Sequence, residues 1–362
     1  MKKAIGIAVL IAALVAGAQA ITAAEKVVGG PFVVRVTGKT ATVAWLVQTD
    51  EVRLQPQTGV PITSPLIRVE TTSFASLQPN TRYDFDVASY GADGKGSFKT
   101  PPAGAEPFRF IVYGDNRTRH DVHRKLIAQV LQYGVPDFVL QTGDMVADGN
   151  DSSLWPIFFN IEKELLRRTA FFPALGNHER HTHYFESIFQ GDPYYSFDWG
   201  NAHFTVIDSD IQNAAPYERG QSVYWNEQVR WIEEDLSAHQ KADYRFVVAH
   251  HPPFTAVASR QGNNPHMTAL TPMFEKYHVS AAFFGHDHNY QHYLKNSIHY
   301  VVTGGGGAPL YDVSKPPAGI TQKVASVENF VGVSMNGKTA HFEAIAINGS
   351  KLEEFDIESP VR

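Results

Sequence analysis

Five times between Phe108 and His288 the chain runs through a short apolar stretch, then a glycine or alanine, then an Asp, Asn or His. The stretches are "FRFIVYGD", "FVLQTGD", "AFFPALGNHE", "RFVVAHHPP" and "AAFFGHDH". Their apolar residues are continuous rather than alternating, the pattern of strands buried on both faces. Between them, Val122, Leu126, Ile127, Val130 and Leu131 share one helical face that Gly134 and Pro136 end, and Trp225, Val229, Ile232 and Leu236 share another. Strands alternating with helices predict an α/β domain over 107–362. Asn336-Gly337 and Asn348-Gly349 mark hairpins between "FVGVSM", "AHFEAIAI" and "LEEFDI", strands expected to extend a sheet of that domain. Upstream, "FVVRV" and "TATVAWL" flank a Gly38-Lys39 turn and predict a separate small all-β sandwich over 25–102. "TPPAGAEP", Thr100 to Pro107, reads as its linker.

Composition narrows the chemistry. The 362 residues are 43% hydrophobic and 19% charged, enough for two cores. The 31 Lys and Arg against 37 Asp and Glu give a net charge of -6, and no basic run offers a nucleic-acid-binding patch. There are no cysteines, which excludes disulfides, thiolate ligands and c-type haem, so any metal must be held by nitrogen and oxygen. Lys2 and Lys3, the apolar run Ile5 to Val15 and Ala18-Gln19-Ala20 form a signal-peptide pattern over 1–20. Cleavage would leave a periplasmic or secreted chain with no stable membrane span; an uncleaved anchor is the alternative. Nothing in the sequence speaks to oligomeric state.

In open α/β folds ligands bind at the carboxyl ends of strands, so residues scattered from 115 to 288 can meet in space. Singly, each Gly-Asp or Asn-His is a commonplace turn or cap. Together, two acids, an amide and several imidazoles form a set suited to zinc, manganese or iron, with one carboxylate able to bridge two ions. The glycines before Asp115, Asp144, Asn177 and His286 permit close backbone approach. In "GHDH", alternation sends Asp287 away from the face that His286 and His288 share.

In their order, Asp115, "GD" at 143–144, "GNHE" at 176–179, His250 and "GHDH" at 285–288 resemble the calcineurin-like metallophosphoesterases, and among them the purple acid phosphatase type. "SLQPNTRYDFDV", with Leu77, Pro79 and Tyr83, resembles the tyrosine-corner segment of fibronectin type III domains, with Trp45 as a core aromatic. The resemblance implies a four-layer metallophosphoesterase β-sandwich flanked by helices, preceded by a fibronectin III-like sandwich. It also implies a centre of two divalent or mixed-valence ions (Zn, Mn or Fe). Asp144 would bridge them, Asp115 and His288 would serve the first ion, and Asn177, His250 and His286 the second. His251 would support a ligand or be structural, and His178 would protonate the leaving oxygen; Arg117, from its own place two residues after Asp115, could hold phosphoryl oxygens, a surface salt bridge being its alternative.

Two positions depart from the family. The histidine of D-x-H is replaced by Arg117, and the tyrosine three residues after the second Asp by Ala147. The first ion thus loses both usual fourth ligands, Asn116 or water being left as substitutes, and the protein is expected not to be purple. Arg260 and His266 lie on a loop where they could touch substrate. The expected activity is hydrolysis of a small phosphate ester by metal-activated hydroxide. A phosphodiesterase or nucleotidase is the alternative within the class, and a non-catalytic binding protein with a degenerate metal site the alternative outside it.

Overall fold

The computed structural model describes residues 26–60 and 62–359, so the leader at 1–20 lies outside the described residues. Three long antiparallel strands come first, β1 (Lys26–Val34), β2 (Ala41–Leu54) and β3 (Ile62–Phe74), then a two-stranded ribbon, β4 (Arg82–Asp86) with β5 (Lys95–Lys99). Strands and helices then alternate: β6 (Phe108–Tyr113), α1 (His120–Tyr133), β7 (Phe138–Gln141), α2 (Leu154–Leu166), β8 (Ala170–Pro173), α3 (His183–Phe189). A second series follows with β9 (Tyr195–Trp199), β10 (Ala202–Val206), α4 (Ile211–Ala214), α5 (Glu218–Ala238), β11 (Tyr244–Val248), α6 (Pro265–Lys276) and β12 (Ala281–Phe284). The chain ends in β13 (Tyr290–Lys295), β14 (Ile298–Thr303), β15 (Thr321–Ala325), β16 (Asn329–Asn336), β17 (Thr339–Ala346) and β18 (Lys351–Glu358).

These strands form two large sheets. One runs β18-β17-β16-β6-β7-β8-β1-β2-β3 and the other β15-β13-β14-β12-β11-β10-β9. In the first, β6, β7 and β8 are parallel; in the second, β10, β11, β12 and β14 are. Alternate side chains of the two sheets interlock: Phe110 lies 5.0 Å from Phe138, 5.5 Å from Phe204 and 6.0 Å from Phe283 by ring centroids. The opposite faces are covered by α1 and α2 through Leu126, Val130, Trp155 and Phe158, and by α5 and α6 through Ile232, Leu236, Leu270 and Phe274. Strands buried on both faces explain the continuous apolar runs, and the result is the expected four-layer arrangement. The C-terminal hairpins join the first sheet through β16 and β6, with Gly337 and Gly349 at φ 62° and 84° in their turns.

The N-terminal segment departs from expectation. It is not a free-standing sandwich over 25–102, because β1 pairs in parallel with β8 at Val33↔Ala170 and so lengthens the first sheet. Phe32 stacks on Phe159 of α2 at 4.3 Å, while Val33, Val36 and Val43 enter the core between the sheets. With both faces of β1 buried against the larger domain, no face remains to build a core of its own. The tyrosine corner is nevertheless present: the Gln78 N–H donates to the Tyr83 hydroxyl at 2.8 Å.

One polar clip ties α5 to the second sheet. His203 on β10 bonds Asp198 of β9 through Nδ1 at 2.7 Å and Asp235 of α5 through Nε2 at 2.9 Å, and its ring stacks on His239 at 3.6 Å. Burial opposes a charge on His203, but its bonds to Asp198 and Asp235 outweigh it and raise its pKa. The hydrogen bond from His203 leads the causes that lower Asp198; for Asp235 it overcomes burial, and both acids end below the ordinary value. The histidine's contribution is therefore full below its unfolded value of about 6.5 and fades as pH rises through the folded one. The acids' contribution is present above their unfolded value of about 4 and fades as pH falls through their folded values. His203→Gln should lower Tm by about 2 °C near pH 5.5, with the gap narrowing above neutrality, as a melting series against pH would show.

Candidate metal centre

The strands β6, β7 and β8 of one sheet and β11 and β12 of the other deliver their following residues to one edge of the sandwich. Asp115, Asp144 and His286 leave those strands with φ of 61°, 58° and 67°, a conformation costly for residues with a Cβ and adopted here by three chemically reactive side chains. Glycine lets the loops crowd together. A Cβ on Gly176 would collide with the backbone nitrogen and Oδ1 of Asp144, and one on Gly285 would sit 2.5 Å from Asp115 Oδ2.

Asn177 Oδ1 lies 3.1 Å from both His250 Nε2 and His286 Nδ1, those nitrogens are 3.3 Å apart, and Asp144 Oδ1 is 3.4 Å from His250 Nε2. An ion held about 2.1 Å from each ligand places neighbouring ligand atoms about 3.0–3.4 Å apart, so these four atoms fit one. The first set is looser. Asp115 Oδ1 is 3.4 Å from His288 Nε2 and is buried with no hydrogen-bond partner.

The imidazoles are aimed by backbone carbonyls. His250 Nδ1 bonds Thr142 O at 2.8 Å and His288 Nδ1 bonds Pro309 O at 2.7 Å, which leaves each Nε2 facing the cleft. Burial pushes His250 down to about 3 and His288 down to about 4, and drives His286 well below the ordinary range, so all three are neutral and carry free lone pairs at physiological pH. Burial, and then the charge of Asp144, push the Asp115 carboxyl well above the ordinary range. A cation between the two acids would relieve that second push.

His178 donates its N–H to Asp144 Oδ1 at 3.0 Å and fixes its ring through Nδ1 to Ala147 O at 2.7 Å, with Nε2 3.8 Å from Asp144 Oδ2. Arg117 Nε stands 3.4 Å from the same Oδ2. Asp287 is turned away from the centre, its oxygens taken by Thr255, Gln291 at 3.0 Å and Arg260 at 3.2 Å. His251 bonds Ser209 Oγ at 2.9 Å.

Three expectations change. Asn116 is not free to complete the first set, because its Oδ1 accepts from Gln141 at 3.1 Å and its Nδ2 donates to Gly306 O at 3.3 Å. Arg260 does not reach toward substrate: it donates to His286 O at 2.7 Å and to the Tyr311 hydroxyl at 2.9 Å, bracing the "GHDH" loop and the ring on which His288 stacks. His266 is held by Ser209 O at 3.1 Å and by the edge of Trp225.

Glu179 is a residue that sequence reasoning passed over. Fully buried, it accepts the N–H groups of Asp144 (2.9 Å), Met145 (2.8 Å), Val146 (3.2 Å) and Gly176 (2.9 Å), and so locks together the loops that carry Asp144 and Asn177. Its signal was its place two residues after Asn177. Because Ala147 offers no phenol and Tyr311 has its hydroxyl on Arg260, the protein loaded with ferric iron should show no tyrosinate band in its visible absorption spectrum.

The chain is similar to several known proteins. The chain is 26% identical over 244 residues to rat tartrate-resistant acid phosphatase type 5, covering 56% of this chain and 74% of that one. It is 23% identical over 281 residues to an uncharacterized protein of Mycobacterium tuberculosis, covering 64% of this chain but 52% of the relative, so the match spans about half that relative's length. The structure of purple acid phosphatase PPD1 from yellow lupin seeds superposes with a TM-score of 0.69 at 18% identity, over 91% of this chain and 74% of that one. The sequence profile of the calcineurin-like phosphoesterases matches residues 108–290, from β6 to the start of β13 and through all five strand ends that carry candidate ligands. The chain therefore belongs to the calcineurin-like phosphoesterase family.

Proposed function

We propose that this protein is an extracytoplasmic metal-dependent hydrolase of small phosphate esters. The observation that carries this reading is the meeting of Asn177 Oδ1, His250 Nε2, His286 Nδ1 and Asp144 Oδ1 at ligand spacing, beside the looser first set of Asp115 and His288. The donors are hard oxygen and borderline nitrogen, which suits zinc, manganese or iron. When bound, such ions supply hydroxide near neutral pH and neutralise phosphoryl oxygens. The chain's own residues position and protonate. His178, with Nδ1 committed to Ala147 O, presents Nε2 to the cleft, where as an imidazolium it donates a proton to the leaving oxygen. Arg117 points its guanidinium at the same cleft and can hold a phosphoryl oxygen. The leader pattern at 1–20 supports export, and among the described residues no helix is long and apolar enough to cross a membrane.

The first set lacks a fourth protein donor, and this favours the second reading, a binding protein with a degenerate centre. Hydrolysis of an aryl phosphate and a bis-aryl phosphate, each with and without added manganese or zinc, separates the readings. Ion-dependent turnover is expected, with the monoester preferred. His178→Asn should lower kcat about 10²-fold or more for alkyl esters and less for aryl esters, whose leaving groups need no proton. Absence of turnover with either ester under any of these ions would leave the binding protein.

A further inference from the structure

The two sets of donors are unequal in a way that points to Arg117. The second set has four protein atoms, and the Arg260 guanidinium beside it is taken up by His286 O, Asp287 and Tyr311. The first has Asp115 Oδ1 and His288 Nε2, 3.4 Å apart, with Asp144 as the carboxylate shared with the second, and both positions that could add a further ligand hold Arg117 and Ala147 instead. Arg117 is only 18% exposed, its Nε is 3.4 Å from Asp144 Oδ2, and that buried nitrogen has no hydrogen-bond partner. Asp115 Oδ1 is a buried acceptor with none either. Asn116 is tied to Gln141 and Gly306, and the Arg260 guanidinium is bound to His286 O, Asp287 and Tyr311. Among the described residues, Asp144, which both sets share, thus has one uncommitted guanidinium at hand, whose charge also acts on Asp115, and a guanidinium stays charged at every working pH.

We propose that the Arg117 guanidinium stands in for the first metal ion, so that the resting protein holds one ion firmly, at Asn177, His250, His286 and Asp144. The proposal rests on the phosphoesterase reading and adds to it how the centre is loaded. An ion entering the first position meets an Asp144 charge already offset and a like charge beside it, and both effects weaken it.

The test is calorimetric titration of the chelator-treated full chain with manganese or zinc, paired with elemental analysis. Wild type should take up one tight equivalent, with any second at least about 100-fold weaker. Arg117→His, which removes the permanent charge and supplies a nitrogen donor, should bind two tight equivalents. Arg117→Gln, which removes charge while keeping length, should tighten the second equivalent about tenfold or more. His250→Ala should abolish the tight equivalent in wild type and His288→Ala should keep it. Two equally tight ions in an active wild type would overturn this inference alone. So would a second equivalent that stays as weak in both Arg117 variants as in wild type. No binding by wild type or Arg117→His, in chains folded by circular dichroism, would overturn it together with the phosphoesterase reading.

Discussion

Asp144→Asn is expected to cost at least about 10³-fold in kcat/KM and to strip the protein of metal while leaving it folded. Asp144 is the carboxylate common to both donor sets: Oδ1 is 3.4 Å from His250 Nε2, and Oδ2 faces Arg117 Nε at 3.4 Å and His178 Nε2 at 3.8 Å. Asparagine keeps the shape, and its oxygen can still accept the His178 N–H that Asp144 Oδ1 accepts at 3.0 Å. It carries no charge, and its amide nitrogen would meet a ligand position or the Arg117 donor. The loss should therefore be chemical rather than structural. The charge of Asp144 also pushes Asp115 and Glu179 upward, each of them wholly buried. Removing it relieves that repulsion, so in chelator the variant should melt no lower than wild type. Metal content, kcat/KM and Tm with and without chelator decide the matter. A variant that keeps its metal and turns over within about tenfold of wild type would mean that Asp144 is not the shared ligand.

How much of this was readable beforehand depended on the kind of information each feature carries. Strand ends with Asp115, Asp144, Asn177, His250 and His286 were legible because a strand buried on both faces must be apolar throughout, so a polar residue marks where it emerges. The partner of β1 was not legible. "FVVRV" is apolar on both faces whether it closes a small sandwich or lengthens a large sheet, and only the match of Val33 to Ala170 tells the two apart. Local chemistry survived that error, since the Tyr83 bond to Gln78 depends on its own few residues. Arg260 and Asn116 were misjudged for another reason. Their donors and acceptors could serve a ligand or the backbone equally well, and the choice is made by distant residues such as Tyr311, Gln141 and Gly306.

Glu179 shows the same limit most fully, and its replacement carries the second large expected effect. One glutamate beside a candidate ligand looks like a surface acid, yet this one receives four backbone N–H groups from the loops that carry Asp144 and Asn177. Burial and the Asp144 charge push its carboxyl well above the ordinary range, while the N–H groups of Val146, Asp144 and Gly176 pull it down. Glu179→Gln keeps one oxygen and turns an NH₂ toward donors that need an acceptor. Each buried N–H left without a partner costs about 1–3 kcal/mol, so a loss of about 3 kcal/mol or more is expected. Asp144 and His178 would lose their fixed places with it. Metal affinity should fall although no ligand has been touched, and Asp144 would keep its φ of 58° less firmly. Denaturant unfolding and metal titration read the two effects separately. A Glu179→Gln protein as stable as wild type would show that the two loops hold their places without the clamp. One that is less stable but binds metal normally would confine the clamp to folding, and a fall in both is the result expected of a residue that builds the centre by holding its backbone.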